Sequence, residues 1–154
     1  MLKFSRNFGK IFWTNFFVLT FFILDRFFKN LFLSQETIYK EFGPFAFFLT
    51  KNSRVIFGFF ASNIWFDILT GLVLLFVILK LKEAYLKKDF TSLFVYSLLI
   101  GGAVSNILDR IKYGFIIDYI DLGPWHIFNL ADLLILSGVV ILVVQYWRER
   151  SKKS

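Results

Sequence analysis

The chain has 154 residues, is 57% hydrophobic with 23 phenylalanines, and carries a formal charge of +7. One domain of that length has too little interior to hide so much apolar side chain, which excludes an ordinary water-soluble globule and makes a bilayer the fitting solvent. Cysteine is absent, which excludes disulfides, thiolate nucleophiles and cysteine-held metals.

The positive charge is dispersed. Residues 1–10 carry +3, residues 80–89 carry +2 and the tail from Arg148 carries +3, whereas 25–67 carry +1 and 109–132 carry −2. A nucleic-acid binder concentrates such charge on one face or tail, so no nucleic-acid partner is expected. The pattern instead fits the positive-inside rule of a polytopic membrane protein.

The first apolar run, IFWTNFFVLTFFIL at 11–24, follows a basic start and imitates a secretory leader. No small-x-small cleavage site follows it, so it is expected to remain as a membrane anchor within a first helix of roughly 10–28. An outer loop follows, roughly 40–62 of which is expected to form a β-hairpin. Its strands are FAFFLT (45–50) and VIFGFF (55–60) around the polar turn KNSR. Such short apolar strands are expected to rest on the membrane surface.

Further helices are expected at roughly 64–80, 90–108 and 128–147, each near the ~20 residues that cross a hydrocarbon core. The predicted fold is an all-α membrane protein, a single domain over 1–154. It is a four-helix bundle with a small β-rich outer cradle. Both termini and the 80–89 loop fall on the cytoplasmic side, and 29–63 and 109–127 face outward. Trp65, Trp125 and Trp147 fall near helix ends, as interfacial belts require. The tetrapeptide ILDR occurs at 23–26 and again at 107–110, with Asp25 and Asp109 each expected at a helix C-terminus beside Arg26 and Arg110.

The stretch FIIDYIDLGPWHIFNLADLLIL (115–136) places Asp118, Asp121 and Asp132 in apolar company. Asp132 lies 15 residues before Trp147, a rise of roughly 22 Å, which puts it in the outer part of the bilayer. A carboxylate at the membrane centre costs about 2.5–3.5 kcal/mol and less near the edge; such residues usually mark function. A structural account is equally open, in which Asn129 caps the fourth helix and Asp132 is a first-turn acid in a variant of the capping box. Gly123-Pro124 lets the chain fold back, so that Asp118 and Asp132 could face one another across a cavity. Two close carboxylates share a proton, as peptide hydrolysis requires: the ionised one takes a proton from water and the neutral one polarises the carbonyl. His126 has no nucleophile-elbow pattern beside it and reads as interfacial, and no metal-ligand spacing is recognisable.

The segment GGAVSNILDRIKYGFIIDYID followed by FNLAD closely resembles the signature of the prolipoprotein signal peptidase (signal peptidase II) family, bacterial four-helix aspartic proteases of the inner membrane. The resemblance implies that Asp118 and Asp132 are a catalytic dyad, with Asn106, Asp109, Arg110 and Asn129 shaping the site. The family's D-Q-x-x-K block resembles Asp25-Arg26-Phe27-Phe28-Lys29, with Arg26 in place of Gln, which implies a substrate-binding or supporting role for Asp25 and Lys29. Its N-x-G-x-x-F-[GS] block resembles NSRVIFG, which keeps Asn52, Phe57 and Gly58 but has Arg54 in place of glycine.

The implied activity is removal of the signal peptide from a prolipoprotein, just before its diacylglyceryl-modified cysteine. The implied partners are that lipidated substrate and membrane lipids, with no metal or organic cofactor; a monomer is expected. Two other readings stand beside it. A small transporter or proton-conducting subunit also uses intramembrane acids, and a structural membrane partner would use them only as helix caps. A presenilin-like protease is disfavoured because no GxGD motif occurs. Asp121 has no assigned role.

Overall fold

A computed structural model describes residues 2–53, 64–123 and 126–152. The chain runs α1 (Leu2–Ser34), β1 (Tyr39–Phe42), β2 (Phe45–Asn52), α2 (Ile64–Lys87), α3 (Phe90–Tyr113), β3 (Ile116–Asp121), β4 (Ile127–Phe128) and α4 (Leu130–Ser151). The helices overrun the apolar windows that the sequence suggests, because a helix need not end where its charges begin. At the end of α2, Glu83 receives hydrogen bonds from Lys80 (2.8 Å) and Lys87 (2.5 Å), the i,i+3 and i,i+4 pairs that carry a helix out of an apolar stretch. Asp25 is likewise not at a helix C-terminus: α1 continues for nine more residues to Ser34.

The helix ends have identifiable causes. Asp89 caps α3, accepting from the Ser92 N–H (3.2 Å) and hydroxyl (2.6 Å). Gly114, in the left-handed region at φ 78°, closes α3 by donating its N–H to the Arg110 carbonyl at 2.9 Å. Asn129 caps α4 in a full capping box with Asp132.

Helix α3 is the hub and packs against α1, α2 and α4. Glycines permit its close approach to α4. A β-carbon on Gly102 would collide with the Ala131 carbonyl and come within 2.7 Å of Ile135, and one on Gly138 would lie 2.7 Å from Leu99. Small residues at helix contacts are how apolar helices associate when lipid, not water, surrounds them.

The outer faces carry apolar side chains, among them Phe16, Leu19 and Ile23 on α1, Leu72 and Phe76 on α2, and Leu136 and Val140 on α4. The interior holds an unusual share of polar groups: Asp25, Lys29, Ser105, Asn106, Asp109, Asp118 and Asn129 are all buried. That inversion suits a protein dissolved in lipid. By length and apolarity, α3 and α4 could each cross a membrane.

The strands form one antiparallel sheet in the order β1-β2-β3-β4. The hairpin therefore differs from the predicted one: β2 pairs with β1 across Gly43-Pro44, with Tyr39 opposite Phe48 and Phe42 opposite Phe45. Gly43 supplies the positive φ (61°) that this tight turn needs. Residues 55–60, assigned to the other predicted strand, lie outside the described residues, as do Arg54 and Trp125. β2 also pairs with β3. Phe47 sits opposite Ile120 and Thr50 opposite Asp118, so one extra residue of β2 is accommodated between those pairs.

Candidate active site

The site forms where the buried ends of α1, α3 and α4 meet β2 and β3. Asp118, near the middle of β3, is 1% exposed. Its Oδ1 accepts from the Asn129 side-chain amide at 2.7 Å and its Oδ2 from the Asn52 amide at 2.8 Å. Burial pushes its carboxyl up to about 6, and the negative charge of Asp132 adds to the rise. The amides of Asn52 and Asn129 and the Lys29 ammonium oppose it.

Asp132, in the first turn of α4, is less enclosed. Its Oδ1 accepts from the Asn106 amide at 2.8 Å and its Oδ2 from the Asn129 backbone N–H at 3.2 Å, while its own N–H donates to Asn129 Oδ1 at 2.9 Å. The cap of α4 is thus part of the site. Asn129 touches both carboxyls, one through its side-chain amide and the other through its backbone, and its Nδ2 also reaches Asn106 Oδ1 (3.2 Å) and the Ile117 carbonyl (3.4 Å). Capping and a functional role for Asp132 coexist in one arrangement.

Behind the two carboxyls lies a layer of paired charge. Lys29 is fully buried, and its ammonium contacts Asp109 Oδ2 at 2.7 Å, Asn106 Oδ1 at 2.8 Å and Asp25 Oδ2 at 3.1 Å. Such a group is tolerated in an apolar interior only when its charge is matched and its donors are used. Asp25 is saturated too: Oδ2 also accepts from the Ser105 hydroxyl at 2.5 Å, and Oδ1 accepts from the Tyr119 hydroxyl and the Ala131 N–H, each at 3.1 Å. Asp109 Oδ2 further accepts from the Ile117 N–H at 3.3 Å. Among the described residues no buried side-chain nitrogen or oxygen lacks a hydrogen-bond partner.

Of the residues singled out in the sequence, Asp25, Lys29, Asn52, Asn106, Asp109, Asp118, Asn129 and Asp132 come together here. Arg110 is half-buried on the last turn of α3, its carbonyl holding Gly114. His126 is exposed. Asp121 Oδ1 accepts the Gly123 N–H at 2.9 Å, a local turn bond.

Three contributors were not selected as site residues: Ser105, Tyr119 and Arg26. Ser105 lies four residues before Asp109, on the same helix face, which is the signal that could have found it. Tyr119 is buried and stacks on Phe32 (centroids 5.3 Å apart) while its hydroxyl donates to Asp25 and accepts the Leu130 N–H at 3.2 Å. Burial and then the Asp25 charge push its phenol well above the ordinary tyrosine range.

The sequence matches the family described as Signal peptidase (SPase) II over residues 17–148. It is similar to the lipoprotein signal peptidase of Buchnera aphidicola subsp. Schizaphis graminum (strain Sg), 33% identical over 139 residues that cover 83% of this chain and 87% of that one. It is also similar to the lipoprotein signal peptidase of Syntrophomonas wolfei subsp. wolfei, 32% identical over 141 residues that cover 86% and 90%. In three dimensions it resembles a bacterial membrane enzyme solved by the in meso method at 2.3 Å resolution, with a TM-score of 0.75. That match covers 92% of this chain and 91% of the other at 21% identity, a likeness of fold alone.

Proposed function

This chain belongs to the signal peptidase II family of bacterial membrane enzymes, an aspartic-type peptidase that removes signal peptides from prolipoproteins, and on that premise we propose that Asp118 and Asp132 are its catalytic aspartates. The observation that carries the assignment is Asn129, whose side chain and backbone bind one carboxyl each. The transporter reading gives way to the family.

The chemistry follows from a pair of carboxyls that shares one proton. The ionised member takes a proton from water, and the hydroxide equivalent attacks the scissile carbonyl carbon. The protonated member donates to the carbonyl oxygen, so that charge does not accumulate in the tetrahedral intermediate. Collapse breaks the C–N bond as the proton taken from water passes to the departing amine. A hydroxyl of the intermediate returns its proton to the carboxylate that had donated one, leaving a carboxylic acid product and the pair again with a single proton. The proton belongs to the pair, and its uptake is a property of both carboxyls. Burial raises the proton affinity of Asp118, so a fraction of it stays protonated near neutral pH, where an ordinary carboxyl is almost wholly ionised.

The substrate is a prolipoprotein; its cleaved bond lies just before a diacylglyceryl-modified cysteine. All four helices span the inner membrane as one domain over 1–154, with both termini cytoplasmic and the aspartates near the outer face. The basic termini and the basic 80–89 loop support that orientation. The enzyme works as a monomer, and lipids surround its apolar faces.

The test uses D118N and D132N, purified in detergent beside the parent enzyme and incubated with a diacylated prolipoprotein. Both variants are expected to fold and to lose cleavage, read as the absence of a signal-peptide-sized shift. Cleavage by either variant at the parent rate would sink the assignment.

A further inference from the structure

Arg26 stands behind the aspartates and sends no hydrogen bond to either. A single nitrogen, Nη1, donates to Asp109 Oδ1 at 2.5 Å, to the Ser105 carbonyl at 3.1 Å and to the Ser105 hydroxyl at 3.3 Å. The other oxygen of Asp109 holds Lys29; Lys29 holds Asn106 by its carbonyl oxygen; and Asn106 turns its amide onto Asp132. Contacts thus run unbroken from Arg26 to a carboxyl of the site.

Charge makes the arrangement consequential. Without Arg26, the layer behind the aspartates would hold one cation, Lys29, against two anions, Asp25 and Asp109. With it the layer is neutral. Charges in such surroundings are weakly screened, so an uncompensated anion there would be felt by the carboxyls in front. Among the described residues, the titratable or charged groups on the elements packed behind the pair include Asp25, Arg26 and Lys29 from α1, Asp109 and its neighbour Arg110 from α3, and Tyr119 from β3. Arg26 is paired with the second buried anion of the layer, Asp109.

We propose that Arg26 is a positioning residue: by neutralising Asp109 it leaves Lys29 directed at Asn106 and sets the pH range over which the Asp118–Asp132 pair holds a single proton. The proposal rests on the assignment of that pair as catalytic. Since Arg26 binds only residues behind the site, its removal acts on the chemistry and not on substrate affinity.

The experiment measures kcat and KM against pH for R26Q and R26K with a diacylated prolipoprotein, with D118N and D132N alongside. Loss of the cation makes the pair retain protons more tightly, so the R26Q profile should move to higher pH by roughly 0.5–1 unit with KM unchanged. R26K keeps the charge and should keep the parent profile. An unmoved R26Q profile, or an equal shift in R26K, overturns the proposal. If R26Q does not fold, R26K decides alone: the parent profile supports the role of charge and a displaced one overturns it. Cleavage by D118N or D132N would instead overturn the assignment of the pair, whatever Arg26 does.

Discussion

Replacement of Asn129 separates the structural from the chemical work of one side chain. In N129A two things are lost. The cap of α4, where Oδ1 accepts the Asp132 N–H at 2.9 Å, accounts for about 1 kcal/mol. The amide bonds to Asp118 at 2.7 Å and Asn106 at 3.2 Å leave buried acceptors short of a donor, at about 1.5–3 kcal/mol for the bond to a charged group. The variant should therefore be about 2.5–4 kcal/mol less stable, with discount for coupling between the two losses. N129S keeps an oxygen that can cap the helix but has no amide to reach Asp118. It should regain about 1 kcal/mol of stability yet cleave as poorly as N129A. The assay pairs denaturation in detergent with cleavage of a lipidated precursor under conditions where every variant is folded. Parent activity in N129S would refute the reasoning, because it would mean that Asn129 serves only as a cap.

Two further outcomes follow from the same geometry. The Asp118 carboxyl is held at about 6 by burial, well above its ordinary value, so the folded protein keeps that proton after the unfolded chain has lost it. Stability from this group is therefore full below about pH 4 and lost as pH rises to about 6, by up to roughly 3 kcal/mol. The D118N variant should lack that part of the pH dependence of unfolding, and an unchanged slope would contradict it. Between α3 and α4, G102A places a β-carbon against the Ala131 carbonyl and should lower stability by about 1–3 kcal/mol. In α2, G71A meets nothing within 4 Å, so thermal unfolding should show it neutral or slightly stabilised.

The helices were legible because their apolar windows are long, and the cap at Asn129 because Asn and Asp three residues apart at a helix start have a known mechanical use. The strands were harder, for different reasons. In β1, Tyr-Lys-Glu-Phe is exposed at all four positions, so no alternation of apolar and polar residues announces it. The Gly43-Pro44 turn was the better signal there. In β3, Ile116 to Tyr119 are all buried, which erases alternation from the opposite direction. The gathering of Asp118 and Asp132 was foreseen from the fold-back at Gly123. The paired charge behind them was not, because no spacing rule links Arg26 or Lys29 in α1 to Asp109 more than 75 residues away.

The extra residue in β2 has a consequence for acid–base chemistry. Residues opposite one another in an antiparallel pair project to the same side, so Thr50 opposite Asp118 puts Asn52 on the carboxyl's side and Lys51 on the other. Continued from Phe47 opposite Ile120 without the insertion, the ladder would set Leu49 against Asp118 and bring Lys51 round to its face. An ammonium there would hold the carboxyl ionised, whereas the neutral Asn52 amide leaves it able to keep a proton. A register step of one residue chooses between an inert ion pair and a carboxyl that can act as an acid.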